Sequence, residues 1–220
     1  MQIRKALVTG ASRGIGAATA VKLAEAGCDV ALNFRQKGPR AEQVAGRIRD
    51  LGRAALLTQA DITDESQVTA MMELAARELG RLDILVLNAS GGMESGKADD
   101  YAMRMNLTAQ MQVVREGARL MTKGGRIVFV TSHWAHFYGT KPILPAYEEV
   151  AKSQRAGEDA LRAHIPKLAE KGIALVVVSG DAIAGTITPK LLERKSRVRM
   201  RITLRAQGRC RRLTSSQVRS

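Results

Sequence analysis

The residues with the clearest chemical meaning form a glycine-rich stretch near the start of the chain, TGASRGIG from Thr9 to Gly16. An apolar run, residues 6–8, precedes the stretch, and a helical pattern from Ile15 to Ala26 follows it. A tight turn from strand to helix directs free backbone N–H groups and the positive end of the helix dipole at one point. This arrangement suits a pyrophosphate. The stretch therefore predicts a dinucleotide site formed by Gly10, Ser12, Arg13, Gly14, Ile15 and Gly16.

The three glycines have separable roles in such a loop. Gly10 permits the turn, Gly14 lets a phosphate approach the backbone, and Gly16 lets the helix pack tightly on the strand. Glycine repeats also occur in ordinary surface turns, so the interpretation depends on the elements around them.

The rest of the chain alternates apolar runs with amphipathic helical runs, without an internal repeat. Further strands are predicted at residues 29–33, 54–57, 84–87, 126–130 and 173–178, and helices at 40–51, 64–80, 99–121 and 147–171, the last with a kink at Pro166. Nearly continuous apolar strands separated by helices indicate a parallel sheet that is covered on both faces. The predicted fold is α/β, a Rossmann-type doubly wound sheet of about six strands whose ligand crevice lies at the carboxyl ends of the strands.

The glycine stretch, taken with this order of elements, resembles the cofactor loop Thr-Gly-x-x-x-Gly-Ile-Gly of the short-chain dehydrogenase/reductase family. The resemblance covers roughly residues 3–190 and implies hydride transfer between a nicotinamide cofactor and a small carbonyl or alcohol substrate. It also implies further cofactor contacts after strands three, four and six. After strand three these are Asp61 and Ile62, and after strand four Asn88, Ala89 and Ser90. Ser90 is inserted into the family's Asn-Ala-Gly turn. After strand six they are Gly180 and either Thr186 or Thr188.

The end of the second strand predicts which nicotinamide cofactor binds. A site for NAD(H) typically has an Asp or Glu there, which binds the ribose 2′-hydroxyl, whereas a 2′-phosphate requires positive charge. Here the strand continues into Asn33, Phe34 and Arg35, and Arg13 comes from the glycine loop. Two guanidinium groups and no carboxylate favour NADP(H) over NAD(H).

The resemblance also implies a set of catalytic residues. Ser132, which ends the fifth strand, matches the family's Ser, which positions the substrate oxygen, and Tyr147 matches the proton-transferring Tyr. In the family a Lys lowers the pKa of that Tyr, and an Asn, matched here by Asn106, supports the Lys through water. Reduction of a carbonyl leaves an oxyanion, so such a site needs a nearby acid and a hydrogen-bond donor.

The position of the Lys departs from the family pattern Tyr-x-x-x-Lys. Lys152 follows Tyr147 by five residues, which on a regular helix places it about 140° away around the axis. A π-bulge, or a Tyr147 that precedes the helix proper, would restore their contact. Alternatively, an alignment of the downstream residues puts Gln154 in the Lys position and Val150 in the Tyr position, which leaves a nucleotide-binding relative with impaired catalysis.

Aromatic and histidine side chains cluster directly after Ser132. His133 and Trp134 open this cluster, and we expect it to wall the substrate pocket rather than to supply the acid.

The positive charge of the chain is concentrated at its end. The formal net charge is +14, and residues 194–220 supply +10 of it through nine Arg and one Lys, without Asp or Glu. We expect one NADP(H)-binding domain, residues 1–193, followed by a basic, poorly ordered tail, residues 194–220. Nucleic-acid binding through this tail is a secondary hypothesis, because the tail lacks interleaved aromatic residues.

Composition and resemblance set the remaining expectations. Cys28 and Cys210 lack metal-ligand spacing, so neither a metal site nor a disulfide framework is expected. The sequence contains neither a signal pattern nor a long apolar run, which favours a cytoplasmic location without a membrane partner. The resemblance implies a homodimer or homotetramer, with contacts through the helices around 99–121 and 147–163.

Overall fold

Six parallel strands form one sheet in the order β3-β2-β1-β4-β5-β6. The structure is a computed structural model, and it describes residues 2–94, 96–183, 188 and 191–192. The strands are β1 (Lys5–Val8), β2 (Asp29–Phe34), β3 (Ala55–Gln59), β4 (Leu82–Leu87), β5 (Met121–Ser132) and β6 (Ala174–Gly180). The order reverses between β1 and β4, which creates a crevice at the carboxyl ends of these two strands. The predicted Rossmann-type fold is confirmed.

Helices connect the strands and cover both faces of the sheet. They are α1 (Gly14–Glu25), α2 (Gly38–Asp50), α3 (Glu65–Leu79), α4 (Tyr101–Met103), α5 (Ala109–Leu120), α6 (His133–His136), α7 (Glu148–Ala163) and α8 (Ile165–Glu170). Local signals explain several ends. The carboxylate of Asp64 caps α3 by accepting from the backbone N–H of Gln67, and Gly80 with its positive φ ends the helix.

The buried side chains form a separate cluster on each face of the sheet. On one face α3 and α5 pack against the sheet around Leu85 and Ile127, and on the other α1 and α2 pack around Val30 and Leu32. Strands buried on both faces account for the continuous apolar runs in the sequence. None of the helices in the described residues combines the length and apolar character needed to cross a membrane.

The predicted long helix from 99 to 121 is interrupted. A π-helical segment, Arg104–Thr108, separates α4 from α5, and it contains the buried Asn106. The extra residue per turn rotates the following helix relative to the preceding one. The final helical region is also divided, because α7 ends at Ala163 and α8 begins at Ile165, just before Pro166.

Helix α7 lies unusually close to the π-helical segment at Gly157. A Cβ atom added to Gly157 would lie 2.1 Å from the backbone oxygen of Asn106, whereas one added to Gly46 in α2 would meet no atom within 4 Å. We therefore expect Gly157→Ala to lower the free energy of unfolding by about 1–3 kcal/mol through overpacking. Gly46→Ala should raise it by up to about 1 kcal/mol through helix propensity. Urea unfolding of both variants measures this difference, and equal stabilities would contradict the close packing.

Candidate functional site

The glycine loop has the backbone geometry that its sequence predicts. Gly10 and Gly14 have φ values of +65° and +58°, in the left-handed region that favours glycine. Gly16 has no room for a side chain, because an added Cβ would lie 2.5 Å from both the Nδ2 atom of Asn88 and the carbonyl oxygen of Gly10. The first turn of α1 can therefore approach the ends of β1 and β4, while Gly14 faces open space.

Side-chain hydrogen bonds join the end of β1 to the end of β4. The hydroxyl oxygen of Thr9 accepts from the backbone N–H groups of Asn88 (2.9 Å) and Ala89 (3.0 Å). The amide of Asn88 donates in return to the backbone oxygen of Thr9 at 3.0 Å. These bonds hold the glycine loop and the segment after β4 as one unit.

The side chain of Asn33 makes hydrogen bonds within the protein that its predicted cofactor role does not explain. Its Oδ1 atom accepts from the backbone N–H of Gly10 at 3.3 Å, and its Nδ2 atom donates to the backbone oxygens of Thr58 and Ala60, each at 3.2 Å. The residue is 2% exposed. Its side chain thus joins β2, β3 and the glycine loop.

One groove of about 730 Å³ extends from the glycine loop to the ends of β5 and β6. This volume is within the range of small-molecule sites. Most of the predicted site residues line it: Gly10, Ser12, Arg13, Gly14, Ile15, Asn33, Arg35, Asp61, Ile62, Asn88, Ala89, Ser90, Ser132, Tyr147 and Gly180. Gly16 lies buried beneath the loop, Thr188 lines the groove, and Thr186 lies outside the described residues.

The end of the groove beside β2 is rich in positive charge. Its lining includes four cationic side chains, contributed by Arg13, Arg35, Lys37 and Arg40. Arg35 donates a hydrogen bond to the hydroxyl of Tyr101 at 2.8 Å and lies 3.7 Å from a carboxylate oxygen of Asp61. The guanidinium group is therefore held in place before any ligand binds.

Two hydroxyl groups and one amide meet at the other end of the groove. The Tyr147 hydroxyl lies 3.4 Å from Ser132 Oγ and 3.3 Å from Gln154 Oε1, and Ser132 Oγ lies 3.1 Å from the same Oε1 atom. Ser132 also accepts from the backbone N–H of Ala135 at 3.2 Å. Burial raises the pKa of Tyr147, and its contacts with Ser132 and Gln154 lower it by less.

The aromatic cluster after Ser132 is divided between the groove and the protein interior. His133 and Trp134 line the groove, and the Trp134 ring packs on that of Tyr147 with centroids 5.0 Å apart. His136 instead pairs with the fully buried Glu158 at 2.9 Å. His136 is thereby engaged in a structural contact.

Comparison with known proteins identifies the family. The family model described as short chain dehydrogenase matches residues 4–193. The chain belongs to the short-chain dehydrogenase/reductase family. The resemblance seen in the sequence is thereby confirmed, and members of this family are oxidoreductases.

Similar short-chain dehydrogenases/reductases come from fungi and bacteria. The short chain dehydrogenase/reductase AacuN of Aspergillus aculeatus is 34% identical over 83% of this chain and 69% of its own length. The versicolorin reductase stcU of Emericella nidulans is also 34% identical, over 81% of this chain and 68% of its own.

Two solved structures of bacterial family members show the same fold. A short chain dehydrogenase from Burkholderia cenocepacia in complex with NADP is 34% identical, with a TM-score of 0.72, over 80% of this chain and 73% of that one. A Serratia marcescens short-chain dehydrogenase/reductase is 31% identical, with a TM-score of 0.73, over 81% of this chain and 74% of that one.

The structure does not bring Lys152 into the position that the family's Tyr-x-x-x-Lys pattern implies. Tyr147 ends a short 3₁₀ helix, Pro145–Tyr147, so it does precede α7, as one of the sequence hypotheses required. Contact with Lys152 is not restored, however. Lys152 is exposed and does not line the groove. The structure therefore does not bring Lys152 together with Tyr147 at the groove.

Gln154, rather than Lys152, lies beside the Tyr147 hydroxyl. Seven residues advance a helix by about 700°, so Gln154 returns to within about 20° of the direction of position 147, whereas Lys152 is about 140° away. The alternative alignment assigned Gln154 to the Lys position and Val150 to the Tyr position, and the structure places Gln154 beside Ser132 and Tyr147. Val150 is buried beside Met93 and Tyr147, outside the groove lining.

Asn106 is held by contacts within the protein. Its amide donates to the backbone oxygen of Gly91 and to Ser153 Oγ, both at 2.9 Å, and it accepts from the backbone N–H of Gly91 at 3.2 Å. It is 1% exposed. These bonds connect the π-helical segment to α7 and to the loop after β4, which positions the helix that carries Gln154.

Two further residues matter that the predicted site did not contain. Tyr101 orients Arg35 from 66 positions along the chain, and no local sequence pattern signals such a contact. Gln154 was indicated by the sequence only through the alternative alignment of the residues that follow Lys152.

The hydrogen bonds of Asn33 predict a stability effect that needs no ligand. Asn33→Ala removes three bonds to the backbone, and we expect it to lower the free energy of unfolding by about 2–4 kcal/mol. Gln36→Ala, an exposed neighbour in the same groove, should change it by less than about 0.5 kcal/mol. Chemical denaturation of the ligand-free variants checks both values. A loss of nucleotide affinity at unchanged stability would instead support a direct cofactor contact.

Proposed function

We propose that this protein is an NADP(H)-dependent oxidoreductase that transfers hydride between the nicotinamide and a small carbonyl or alcohol. The observation that carries the proposal is the single groove, which has the glycine loop at one end and the Ser132 and Tyr147 hydroxyls at the other. A dinucleotide that binds its pyrophosphate at the loop reaches toward the ends of β4 and β5, where those hydroxyls lie.

The cofactor preference is supported by charge. The adenosine end of the groove is lined by Arg13, Arg35, Lys37 and Arg40, and a 2′-phosphate gains charge-assisted hydrogen bonds from guanidinium groups. The NADP bound by the Burkholderia cenocepacia relative is consistent with the same choice here. Asp61, beside Arg35, and Glu94 also line this end, so the preference depends on Arg35 more than on overall charge.

The chain's own residues supply the proton chemistry in this proposal. The bound nicotinamide supplies or accepts the hydride. Ser132 donates a hydrogen bond to the substrate oxygen, and the Tyr147 hydroxyl donates its proton to that oxygen as negative charge develops on it. Asn106 and Ser153 hold the helix behind the site, and the proposal assigns Lys152, which does not line the groove, no part in the step.

A second candidate function rests on a specific observation, the neutral Gln154 beside Tyr147. Without a cation at this position the phenol is a weaker acid, and the protein would bind the nucleotide with little or no turnover. This alternative describes a nucleotide-responsive relative rather than an efficient enzyme.

The chain offers a direct binding assay. Trp134 is its only Trp and lines the groove, so energy transfer from its excited indole to a bound reduced nicotinamide reports occupancy. We expect saturable binding of NADPH, and loss of NADPH absorbance when a carbonyl from a panel of ketones and aldehydes is added. Tyr147→Phe should retain binding and lose at least about 100-fold in turnover, the typical contribution of a general acid.

The outcomes separate the two functions. Binding without turnover on any carbonyl supports the nucleotide-responsive relative, and absence of binding rejects both. Gly14→Val is the negative control for binding, because a branched side chain is strained at a φ of +58° and enters the space left for the phosphate.

The role of Arg35 predicts a change in cofactor discrimination. Arg35→Ala should raise the Kd for NADPH by about 10-fold or more, since charge-assisted hydrogen bonds contribute about 1.5–3 kcal/mol, and should change the Kd for NADH by less than about 3-fold. Arg77→Ala, an exposed Arg on α3, is the control for net charge. Equal weakening of both cofactors would contradict a 2′-phosphate contact.

A further inference from the structure

One amide oxygen organises the reactive end of the groove. Gln154 Oε1 lies within hydrogen-bond distance of both hydroxyls, 3.1 Å from Ser132 Oγ and 3.3 Å from the Tyr147 hydroxyl. Gln154 is 5% exposed, and its helix is fixed by the adjacent Ser153, which bonds to Asn106. The side chain therefore sits in a defined place, on the inner face of α7.

In the part of the chain that the structure describes, the immediate neighbours of Tyr147 are apolar or neutral. Its ring packs against Trp134 and lies in the same buried cluster as Met93, Val150 and Leu192. Its hydroxyl hydrogen-bonds to Ser132 and Gln154, which are both neutral. His133 on α6 and Asp181 after β6 line the same groove, and Glu148 and Lys152 on α7 are exposed. Among the described residues, burial raises the pKa of Tyr147 and the hydrogen bonds to its two neutral neighbours lower it.

We propose that Gln154 is the positioning residue of the Ser132 and Tyr147 hydroxyls, and that its neutral side chain, in place of a cation, leaves Tyr147 a protonated donor at neutral pH. The proposal rests on the proposed function for the reaction itself. In reduction the phenol O–H bond breaks, its proton passes to the substrate oxygen as the hydride reaches the carbon, and the resulting phenolate is reprotonated by solvent. Alcohol oxidation requires the phenolate and therefore alkaline pH.

The protonation state can be measured without cofactor. The chain has three Tyr residues, and comparison with Tyr147→Phe isolates the tyrosinate absorbance of Tyr147 in a pH titration. We expect the wild-type midpoint to lie above the usual tyrosine value. Gln154→Lys should lower it by at least about one pH unit, because a cation beside the phenol stabilises the phenolate. Far-UV circular dichroism at each pH verifies that the fold persists.

Two further variants make the titration decisive. Glu149→Gln, an exposed change on the same helix with the same gain in net charge, should leave the midpoint within about 0.2 pH units. If Gln154→Lys does not fold, Gln154→Met replaces it. That variant removes the amide, which lowers the pKa of Tyr147, so its midpoint should rise. The assignment is overturned if the titration midpoint of Tyr147 does not move in a folded Gln154→Lys variant. If that variant does not fold, the same holds for Gln154→Met.

The pH profile connects the assignment to the reaction. The kcat/KM for alcohol oxidation should rise about tenfold per pH unit below the pKa of Tyr147. In Gln154→Lys this rising part of the pH profile should move to lower pH. If the titration midpoint of Tyr147 is lowered in Gln154→Lys but the rising part of the kcat/KM profile does not move, the link between Tyr147 and proton transfer is overturned. If no substrate is turned over but the midpoints move as expected, the proposed function fails while the positioning role of Gln154 stands.

Discussion

The structure depends on the fixed contact between the ends of β1 and β4. Thr9 and Asn88 exchange hydrogen bonds there, and Gly16 lets α1 approach both strands. A loop of this kind must present its backbone N–H groups to a ligand, so its side chains cannot satisfy them internally. Neighbouring elements take over the task of holding the loop. Asn33 on β2 holds the loop through its bond to the backbone N–H of Gly10, which explains why a polar side chain is almost fully buried at that position.

Helical phase decides which residues meet at the reactive end. Tyr147 lies just before α7, and a side chain seven positions later points in nearly the same direction, whereas one five positions later points to solvent. Tight packing at Gly157 and the bond from Asn106 to Ser153 prevent α7 from rotating to change that phase. A π-helical segment does occur near this site, but it is Arg104–Thr108, which contains Asn106 and cannot alter the register of α7.

The sequence was sufficient for the fold and for the positions of most groove residues, because both follow from local patterns. Apolar runs, glycine turns and caps determine the strands and helices, and the carboxyl ends of parallel strands meet at one edge of the sheet. Contacts between distant elements were not accessible in this way. The pairing of Arg35 with Tyr101 depends on a loop whose path no periodicity specifies, and the choice between Lys152 and Gln154 depends on where α7 begins. Helix ends are the least reliable feature of any such prediction.

The two ends of the groove are built by different parts of the chain, so under the proposed function binding and chemistry fall to different elements. The nucleotide end belongs to the elements around β1 and β2, the reactive end to β5 and α7. A buried Lys at position 154 would need a partner to offset its desolvation, whereas Gln154 satisfies its oxygen with two hydroxyls already present. The neutral side chain therefore fits the ligand-free protein better, but it gives Tyr147 no electrostatic help. Stability and reactivity favour different residues at this position, and this chain carries the residue that stability favours.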